Sequence, residues 1–347
     1  MKIYDTIVIG GGQAGLSVAY FLRRSKLDYL ILDNQAKSGG AWLHTWNSLK
    51  LFSPTEYSSL SGWMMPKSEH EYPTKNEFIN YLEQYEQRYN FPVQRNTEVL
   101  SVHKEEGIFK ITTTQGDFYT KTLVSATGTA QEPFMPDYAN LEEFEGEQLH
   151  SVNYRDSNEL SGKKVLIVGG GNSGAQILAE VSKIASTQWI TLQEPHFLPD
   201  DIDGRYLFNQ ATQKFLGKST EQPSKRKVSL SSVVMVESVK EARDRKVLHA
   251  KRPFKSFYNK GVIWKDGTQE PFDVVIWCTG FKANLRHLDT LNIIENNKIE
   301  TQYTRSIKEP NLWLVGYGSW TGFASATIYG VGKTARQTVK EITEFLS

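Results

Sequence analysis

The amino-terminal segment carries the pattern that most restricts what this chain can fold into. The apolar run Ile7-Val8-Ile9 ends in Gly10-Gly11-Gly12-Gln13-Ala14-Gly15, and a helix-like segment follows from Leu16 to Arg24. A second apolar run, Tyr29 to Leu32, ends in Asp33, whose carboxylate can accept hydrogen bonds from ribose hydroxyls. This order of strand, glycine turn, helix, strand and acid is typical of a dinucleotide-binding unit.

Each glycine of this turn has its own predicted role. Gly10 allows the tight turn, Gly12 lets the backbone approach a pyrophosphate, and Gly15 lets the helix pack closely on the strand. Gln13 and Ala14 stand where the helix begins, and the unpaired N–H groups of a helix N-terminus attract phosphates. All five residues are therefore predicted to bind a dinucleotide.

A second unit of the same kind lies in the middle of the chain. The apolar run Val165 to Val168 ends in Gly169-Gly170-Gly171-Asn172-Ser173-Gly174, which repeats the first glycine spacing. A helix is predicted from Ala175 to Ser186, and a strand from Trp189 to Leu192 ends at Gln193-Glu194. A second dinucleotide is therefore predicted to lie against Gly169, Gly171, Asn172, Ser173 and Gly174.

Both units close with an apolar strand followed by Thr-Gly, at Ala126-Thr127-Gly128 and at Thr279-Gly280. The chain can then cross back to the first unit and end in a helix from Ile328 to Leu346. The prediction is an α/β fold with two Rossmann-like dinucleotide-binding domains, the second inserted into the first. The first domain would comprise residues 1–155 and 281–347, and the second residues 156–280.

Three smaller elements are predicted between these landmarks. A helix from Thr74 to Tyr89 opens with a capping box of Thr74 and Glu77. A hairpin turns at Gln115-Gly116-Asp117, and a matching hairpin would turn at Asp266-Gly267 and run directly into the strand from Val274 to Gly280. The aromatic stretch from Trp42 to Trp63 is interpreted either as a functional loop beside a cofactor or as a satellite hydrophobic cluster.

Composition excludes several function classes. The chain has 347 residues, and its 40 Lys and Arg nearly balance its 39 Asp and Glu, so a polyanion-binding protein is not predicted. The single cysteine, Cys278, excludes an intrachain disulfide. No apolar run approaches the ~20 residues of a membrane span, and no signal-peptide pattern is present. We therefore expect a soluble cytoplasmic protein with neither a membrane nor a nucleic-acid partner.

Two polar segments have competing interpretations. Residues 197–205 include three acids, but no histidine or second acid cluster accompanies them at ligand spacing, so no metal site is predicted. Residues 214–260 are rich in Lys and Arg, notably at 225–227 and 243–246. A solvated surface is favoured there over a nucleic-acid patch, with some of these cations available to a cofactor phosphate.

Two dinucleotide units imply two dinucleotides, and the useful pair is a bound flavin with a diffusing nicotinamide. Hydride would pass from nicotinamide C4 to flavin N5. Because the chain has one cysteine, the electrons cannot continue to an internal disulfide. Oxygen, a quinone or an iron–sulfur partner remain as acceptors.

A motif between the two units resembles a family fingerprint. The run Phe144-x-Gly146-x-x-x-His150-x-x-x-Tyr154 is similar to the FxGxxxHxxx(Y/F) sequence of flavin-containing and N-hydroxylating monooxygenases. The related Baeyer–Villiger fingerprint usually ends in Trp. The segments Gly39-Gly40-Ala41-Trp42, Ala126-Thr127-Gly128 and Gly169-x-Gly171-x-Ser173-Gly174 match the same superfamily in order. The chain thus resembles a short bacterial class B flavin-dependent monooxygenase.

This resemblance implies tightly bound FAD, electrons from NADPH or NADH, and a C4a-(hydro)peroxyflavin that transfers one oxygen atom of O2 to a small molecule. Thioethers, amines or ketones would be substrates, and a homodimer is implied. His150 would couple the two domains rather than act as a base. By resemblance, further flavin or nucleotide contacts are assigned to Gly40, Trp42, Trp46, Leu51, Val99, Ala126, Thr127, Gly128 and Gly318.

The chain departs from the family pattern in three ways. It is short, so a lid can be missing and the pocket more open. Phe52 stands where family members place an asparagine beside the flavin, and Asn47 is a weaker candidate for a polar group there. Since Phe52 cannot donate a hydrogen bond, we expect a short-lived oxygenated flavin that leaks peroxide. Gln193-Glu194 replaces an arginine that often binds the 2′-phosphate of NADPH, which predicts weak discrimination or a preference for NADH.

Two alternatives stay open. One is a cysteine-free reductase with the thioredoxin-reductase fold that passes electrons to a ferredoxin or a quinone. The other is a non-catalytic flavoprotein sensor that uses the basic segment as a partner surface. The fingerprint from Phe144 to Tyr154 favours the monooxygenase.

Overall fold

The computed structural model describes residues 2–200, 202, 232–322 and 324–347. The α-helices described there are α1 (Gln13–Leu22), α2 (Lys75–Tyr89), α3 (Asn172–Val181), α4 (Glu237–Asp244) and α5 (Ile328–Leu346). The strands are β1 (Ile3–Ile9), β2 (Tyr29–Leu32), β3 (Val93–Gln94), β4 (Val99–Glu105), β5 (Ile108–Thr113), β6 (Gly116–Ser125), β7 (Glu147–His150), β8 (Lys164–Val168), β9 (Ser186–Ile190), β10 (Ala250–Lys251), β11 (Ser256–Tyr258), β12 (Gly261–Ile263), β13 (Gln269–Pro271), β14 (Val274–Trp277), β15 (Ile294–Glu295), β16 (Lys298–Ile299), β17 (Thr301–Gln302), β18 (Arg305–Ser306) and β19 (Leu312–Leu314).

One sheet is built from both ends of the chain. Its strand order is β17-β18-β19-β6-β1-β2-β3, and its centre, from β19 to β3, is parallel. Side chains alternate across β1: Val8 packs with Leu16 of α1 and Val331 of α5, whereas Ile7 and Ile9 pack on the other face. Both faces of this sheet are therefore covered, as parallel sheets require.

A second sheet, with the order β10-β9-β8-β14-β7, is parallel throughout. Ile167 belongs to the hydrophobic cluster shared with Ala175 and Leu178 of α3, whereas Leu166 and Val168 pack against Phe257 on the opposite face. The chain is thus a mixed α/β protein with parallel sheets, which confirms the predicted fold class at this level.

The predicted second hairpin differs from the first. In the first, β5 pairs antiparallel with β6, and β6 continues unbroken from Gly116 to Ser125 into the parallel sheet. In the second, β12 pairs with β13, but the chain breaks after Pro271 and resumes as β14 at Val274. Proline lacks the N–H that a continuous central strand needs, so this hairpin arm and the parallel strand are separate elements.

Other predicted boundaries shift by a few residues. The helix predicted from Ala175 to Ser186 runs from Asn172 to Val181, and Ser186 begins β9 instead. The capping box of Thr74 and Glu77 is present at the start of α2, and α5 has its predicted bounds. The second strand of the second unit ends at Ile190, two residues before the predicted end. The stretch from Trp42 to Trp63 is irregular apart from short 3₁₀ turns, and its Trp46 and Leu51 are buried.

Some predictions fall outside the described residues. These are residues 201 and 203–205 of the acidic run and residues 214–231 of the basic segment, including 225–227. Among the helices that the structure describes, none is long and apolar enough to span a bilayer.

Candidate functional site

A cavity of 880 Å³ lies where the strands of the first sheet end. Its walls bring together residues that are far apart in the sequence, as the carboxyl edge of a parallel sheet does in α/β proteins. Among the residues predicted to bind cofactor, the wall contains Gly10, Gly12, Gln13, Ala14, Asp33, Gly40, Trp42, Val99, Ala126, Thr127 and Gly128. Gly15, Trp46, Leu51 and Gly318 are not part of the lining.

The first glycine turn has the geometry that the sequence predicts. Gly10 adopts φ +104°, and a Cβ there would lie 2.5 Å from the carbonyl oxygen of Ala126. A Cβ on Gly15 would lie 1.8 Å from the carbonyl oxygen of Gly10, so only glycine permits this approach of α1 to the turn. Gly12 faces Gly40 across the cavity wall, and a Cβ on Gly12 would lie 3.6 Å from the Gly40 Cα.

The N-terminus of α1 is available to a ligand. Gly12 is its N-cap, no side chain caps the helix, and no acid lies in the first turn. The first N–H groups of a helix have no partner within it, and its dipole favours negative charge. The residues present therefore fit a pyrophosphate group at this end of the cavity.

Asp33 is held in place by partners rather than left free. It is buried, its Oδ1 accepts a hydrogen bond from Gln35 N at 3.1 Å, and it forms an ion pair with Arg95. Arg95 also pairs with Glu86. Burial raises the pKa of the Asp33 carboxyl, and the backbone N–H of Gln35 and the charge of Arg95 oppose that rise. A carboxylate has further lone pairs for ribose hydroxyls, so this arrangement fits the predicted role.

Trp42 is fixed on the cavity wall. Its indole Nε1 donates to Gln13 Oε1 at 3.0 Å, and Gln13 Nε2 donates to the Ala326 carbonyl at 3.1 Å. The indole also meets Phe78 edge-on, with ring centroids 4.8 Å apart. The side chain of Gln13 thereby connects the glycine turn to the aromatic wall.

A buried polar chain in the cavity wall was not predicted. His287 Nε2 lies 2.9 Å from Ser125 Oγ, which lies 2.5 Å from the Tyr317 hydroxyl, which lies 2.6 Å from Thr127 Oγ1. Thr127 Oγ1 donates to the Asn284 carbonyl, so one assignment of donors runs from His287 Nε2–H through each hydroxyl to that oxygen. Burial lowers the pKa of His287 to about 4, which keeps the ring neutral.

The second glycine turn repeats the first. Gly169 has φ +132°, and a Cβ there would lie 2.1 Å from the Cys278 carbonyl oxygen. A Cβ on Gly174 would lie 2.2 Å from the Gly169 carbonyl oxygen, whereas one on Gly171 would meet nothing within 4 Å. Helix α3 starts at Asn172 with no side-chain cap and no acid in its first turn, so it also fits a phosphate group.

The side chain of Asn172 is hydrogen-bonded to the backbone of a neighbouring segment. Its Oδ1 accepts from Val234 N at 2.8 Å, and its Nδ2 donates to the Ser232 carbonyl at 3.2 Å. Ser173 occupies the first turn of α3. Gln193 and Glu194 are exposed after the end of β9.

Phe52 and Asn47 lie outside the lining of the 880 Å³ cavity. Phe52 is half-buried against the hydrophobic cluster of the second sheet. Asn47 donates from Nδ2 to Asp156 Oδ2 at 3.2 Å, and its Oδ1 lies 3.4 Å from Nζ of the buried Lys75. Lys75 also donates to the Thr45 carbonyl at 2.7 Å, and burial, together with the charge of Arg155, lowers its pKa. Sequence reasoning missed this buried cation.

The fingerprint residues lie in and beside the second sheet. Phe144 is buried, and a Cβ on Gly146 would lie 2.2 Å from its ring. His150, at the end of β7, donates from Nε2 to the Gly280 carbonyl at 3.0 Å and accepts from Val152 N at its Nδ1 at 3.2 Å. Both ring nitrogens are occupied and burial lowers the pKa of His150, so its ring is neutral and structural.

Comparison with known proteins agrees with this arrangement. Residues 7–316 match the family model described as pyridine nucleotide-disulphide oxidoreductase. The chain is 45% identical to the solved flavin-containing monooxygenase from Stenotrophomonas maltophilia, with a TM-score of 0.93 and full coverage of both chains. It is 33% identical to the uncharacterized oxidoreductase CzcO of Bacillus velezensis, over 98% of this chain and 99% of that protein. It is 27% identical to the probable indole-3-pyruvate monooxygenase YUCCA4 of Arabidopsis thaliana, over 97% and 89% of the two chains.

Proposed function

We propose that this chain, which belongs to the class B flavin-dependent monooxygenase family, uses bound FAD to oxidise NADPH or NADH and to transfer one oxygen atom of O2 to a small substrate. The observation that carries this proposal is the similarity, over the whole chain, to a solved flavin-containing monooxygenase. NAD(P)H, a proton, O2 and the substrate give NAD(P)⁺, water and the oxygenated product. One oxygen atom of O2 leaves as water and the other stays in the product.

The finer architecture is also part of the proposal. Residues 1–155 with 281–347 would form the FAD domain, and residues 156–280 an inserted NAD(P)H domain. The two parallel sheets with matching glycine turns support this division. Strand β7 pairs with β14 of the second sheet although it precedes residue 156, so residues 147–150 would belong with the second domain rather than the first.

The residues of the large cavity fit FAD. The N–H groups at the start of α1 and the backbone at Gly10 and Gly12 would hold the pyrophosphate, and Asp33 would accept from a ribose. Gly40 and Trp42 would flank the ring system. When bound, FAD supplies the redox and oxygen chemistry, while these side chains bind and orient it.

The second turn fits the diffusing nicotinamide dinucleotide. The start of α3, with Gly171 and Ser173, would hold its pyrophosphate, and Gly169 and Gly174 keep the backbone in that position. The residues after β9 would face the adenosine ribose. The charge of these residues would then determine whether NADH, with its 2′-hydroxyl, or NADPH, with its 2′-phosphate, is preferred.

The proposed substrates are small soft nucleophiles and ketones, so the reactions are sulfoxidation, N-oxidation or Baeyer–Villiger oxidation. Sulfoxidation of a thioether is the least demanding of these, and we expect it to be measurable. The side chains contribute binding and exclusion of water rather than a general acid or base.

The test uses the purified holoenzyme with methyl phenyl sulfide. We expect sulfoxide to form only when both NAD(P)H and O2 are present. A chain that reduces a quinone or a ferredoxin rapidly while forming no oxygenated product from thioether, amine or ketone would instead be a reductase. A dimer would be checked by light scattering on the same sample.

A further inference from the structure

Residues 45–49 form an irregular segment that is bonded to both dinucleotide-binding units. In the first unit, the backbone N–H of Lys75, which is the first residue of α2, donates to the Leu49 carbonyl at 3.1 Å. Asn47 N donates to the carbonyl of Arg155 at 2.7 Å, and Arg155 directly follows the fingerprint on the way into the second unit. Segment 45–49 therefore lies where the two units meet.

Side chains of segment 45–49 also reach the second unit. Trp46 is buried in the hydrophobic cluster of the second sheet, which includes Tyr154 of the fingerprint. The Ser48 hydroxyl donates to the carboxylate of Glu180, which lies on α3. Because the N-terminus of α3 would bind the nicotinamide dinucleotide, the segment contacts the helix that positions this cofactor.

The same segment directly follows part of the wall of the large cavity. Trp42 and His44 line that cavity. Thr45 donates to the Trp42 carbonyl from its backbone N–H at 3.4 Å and from its hydroxyl at 3.0 Å. Since Trp42 would flank the ring system of FAD, a shift of segment 45–49 would be transmitted to both cofactor sites.

The ammonium of Lys75 holds the middle of this segment. Its Nζ donates to the Thr45 carbonyl at 2.7 Å and lies 3.4 Å from Asn47 Oδ1. These two residues flank Trp46, so one ammonium contacts the residue on each side of the indole. Lys75 is only 8% exposed, so water competes little for these contacts.

Stability does not account for the charge of Lys75. In the part of the chain that the structure describes, no carboxylate forms an ion pair with it, and the neighbouring charge is Arg155, a second cation. Lys75 also opens α2, where the helix dipole disfavours a cation. Burial of a charge without a counter-charge costs free energy. The contribution of Lys75 therefore lies in the segment that it holds in place.

We propose that Lys75 is a positioning residue for hydride transfer from NAD(P)H to FAD. It holds segment 45–49 between the two units and thereby fixes how the nicotinamide at the second unit meets the flavin at the first. This inference rests on the proposed function, because it assumes that both cofactors bind.

Lys75 takes no part in the exchange of electrons or protons. The hydride carries two electrons from NAD(P)H to FAD and leaves NAD(P)⁺, while Lys75 acts only through Thr45 and Asn47. A misplacement of the reacting groups by about 1 Å can lower a rate by about 100-fold, so a looser segment is enough to slow the step.

The test measures anaerobic reduction of the FAD holoenzyme by NADH and by NADPH over a range of concentrations, which gives the dissociation constant and the limiting rate separately. We expect Lys75→Met to lower the limiting rate about tenfold, because segment 45–49 loses its hold on the first unit. The dissociation constants of both nucleotides should stay within about twofold, since the start of α3 is unchanged.

Two further measurements show whether the substitution acts only on stability. Methionine is unbranched and adaptable, and Lys75→Met removes a buried charge together with one hydrogen bond. Retention of FAD and the urea midpoint should therefore change little. Amide hydrogen exchange of the holoenzyme, measured by mass spectrometry, should become faster in the peptide that covers residues 45–49 and stay unchanged at the start of α3.

Lys50→Met is the matched control, because it makes the same substitution beside the segment. Lys50 pairs with Thr74 through its backbone, and its side chain forms no hydrogen bond or ion pair with another described residue. This variant should keep the limiting rate and the exchange pattern of the wild type. Lys75→Arg restores a cationic donor for the Thr45 carbonyl and should recover most of the limiting rate.

A wild-type limiting rate in Lys75→Met, or an equal loss in Lys75→Met and Lys75→Arg, would overturn the inference and leave the proposed function standing. So would a Lys75→Met chain that loses its FAD or unfolds at a much lower urea concentration, because the ammonium would then serve stability. The reductive step needs no O2, so it can succeed while oxygen transfer fails, which would overturn only the proposed function. Reduction of the wild type by neither cofactor would overturn both.

Discussion

The carboxylate of Asp33 and the guanidinium of Arg95 form a nearly buried ion pair that joins the end of β2 to the end of β3. The other terminal nitrogen of Arg95 forms an ion pair with the carboxylate of Glu86 in α2. The acid that would hold the FAD ribose is therefore positioned by a residue that directly follows the neighbouring strand β3. Without the Arg95 guanidinium, the carboxylates of Asp33 and Glu86 would lie close together, with little solvent to screen their repulsion.

Arg95→Met should consequently destabilise the protein by about 3 kcal/mol and release FAD, because breaking a buried pair leaves an uncompensated charge. Urea unfolding and the fraction of flavin retained after gel filtration measure the two effects. Lys121→Met, which removes the exposed partner of Asp5 at 2.8 Å, is the control and should change both far less. Equal losses in the two variants would contradict a special role for Arg95.

Two alanine substitutions should separate the two dinucleotides. Ala at position 12 meets only ordinary contact, 3.6 Å from Gly40, and Ala at position 171 meets nothing within 4 Å, so both variants should fold. Gly12→Ala places a methyl group where the FAD pyrophosphate approaches, and FAD should bind about tenfold more weakly. Gly171→Ala should retain FAD and weaken NAD(P)H instead. Flavin titration and anaerobic reduction report each effect, and a reversed pattern would mean that the domains are assigned the wrong way round.

His287 should give the protein an acid-sensitive step. Its folded-state pKa of about 4 lies below the ordinary value of 6.5, so the unfolded chain binds the proton more readily. Neutral His287 therefore adds about 3 kcal/mol to the free energy of unfolding above pH 6.5. This contribution declines as the pH falls and is fully lost below pH 4.

The test compares unfolding free energies of the wild type and His287→Gln between pH 4 and pH 7. Because carboxyl groups titrate in both proteins, the informative quantity is the difference between the two curves. The variant should show the shallower decline. Parallel curves would show that His287 takes up its proton equally in both states.

Phe52 should make the wild type an inefficient oxygenase. We expect NAD(P)H consumption to exceed sulfoxide formation, with the balance appearing as hydrogen peroxide. Phe52→Asn should lower the peroxide fraction, whereas Phe52→Leu, which keeps an apolar side chain against the same hydrophobic cluster, should not. The ratio of peroxide to sulfoxide measures this coupling, and an unchanged ratio in the asparagine variant would remove Phe52 from any role beside the flavin.

The parts of the fold that sequence periodicity predicts are those encoded locally. Both glycine turns, the capping box at Thr74 and the bounds of α5 follow from residues within one or two helical turns. The prediction for the second hairpin was wrong because it followed the similarity to the first hairpin and did not consider Pro271. This proline divides the expected long strand into two strands.

The missed site residues depend on tertiary pairing. Arg95 reaches Asp33 only because the short edge strand β3 aligns beside β2. Two-residue strands leave no periodic signal in a sequence. His287 and Tyr317 come from distant segments that meet at the cavity wall, and no spacing rule joins them to Ser125. The available signal for Arg95 is its place directly after the third strand of its unit.

The central claim is that one atom of O2 enters the substrate. The direct measurement is turnover of methyl phenyl sulfide by the holoenzyme with NAD(P)H under ¹⁸O2, in the presence of catalase, followed by mass spectrometry of the sulfoxide. We predict a sulfoxide that carries one ¹⁸O atom and forms in proportion to the enzyme present. Unlabelled sulfoxide, or NAD(P)H consumption that yields only peroxide and no labelled product, would contradict the account.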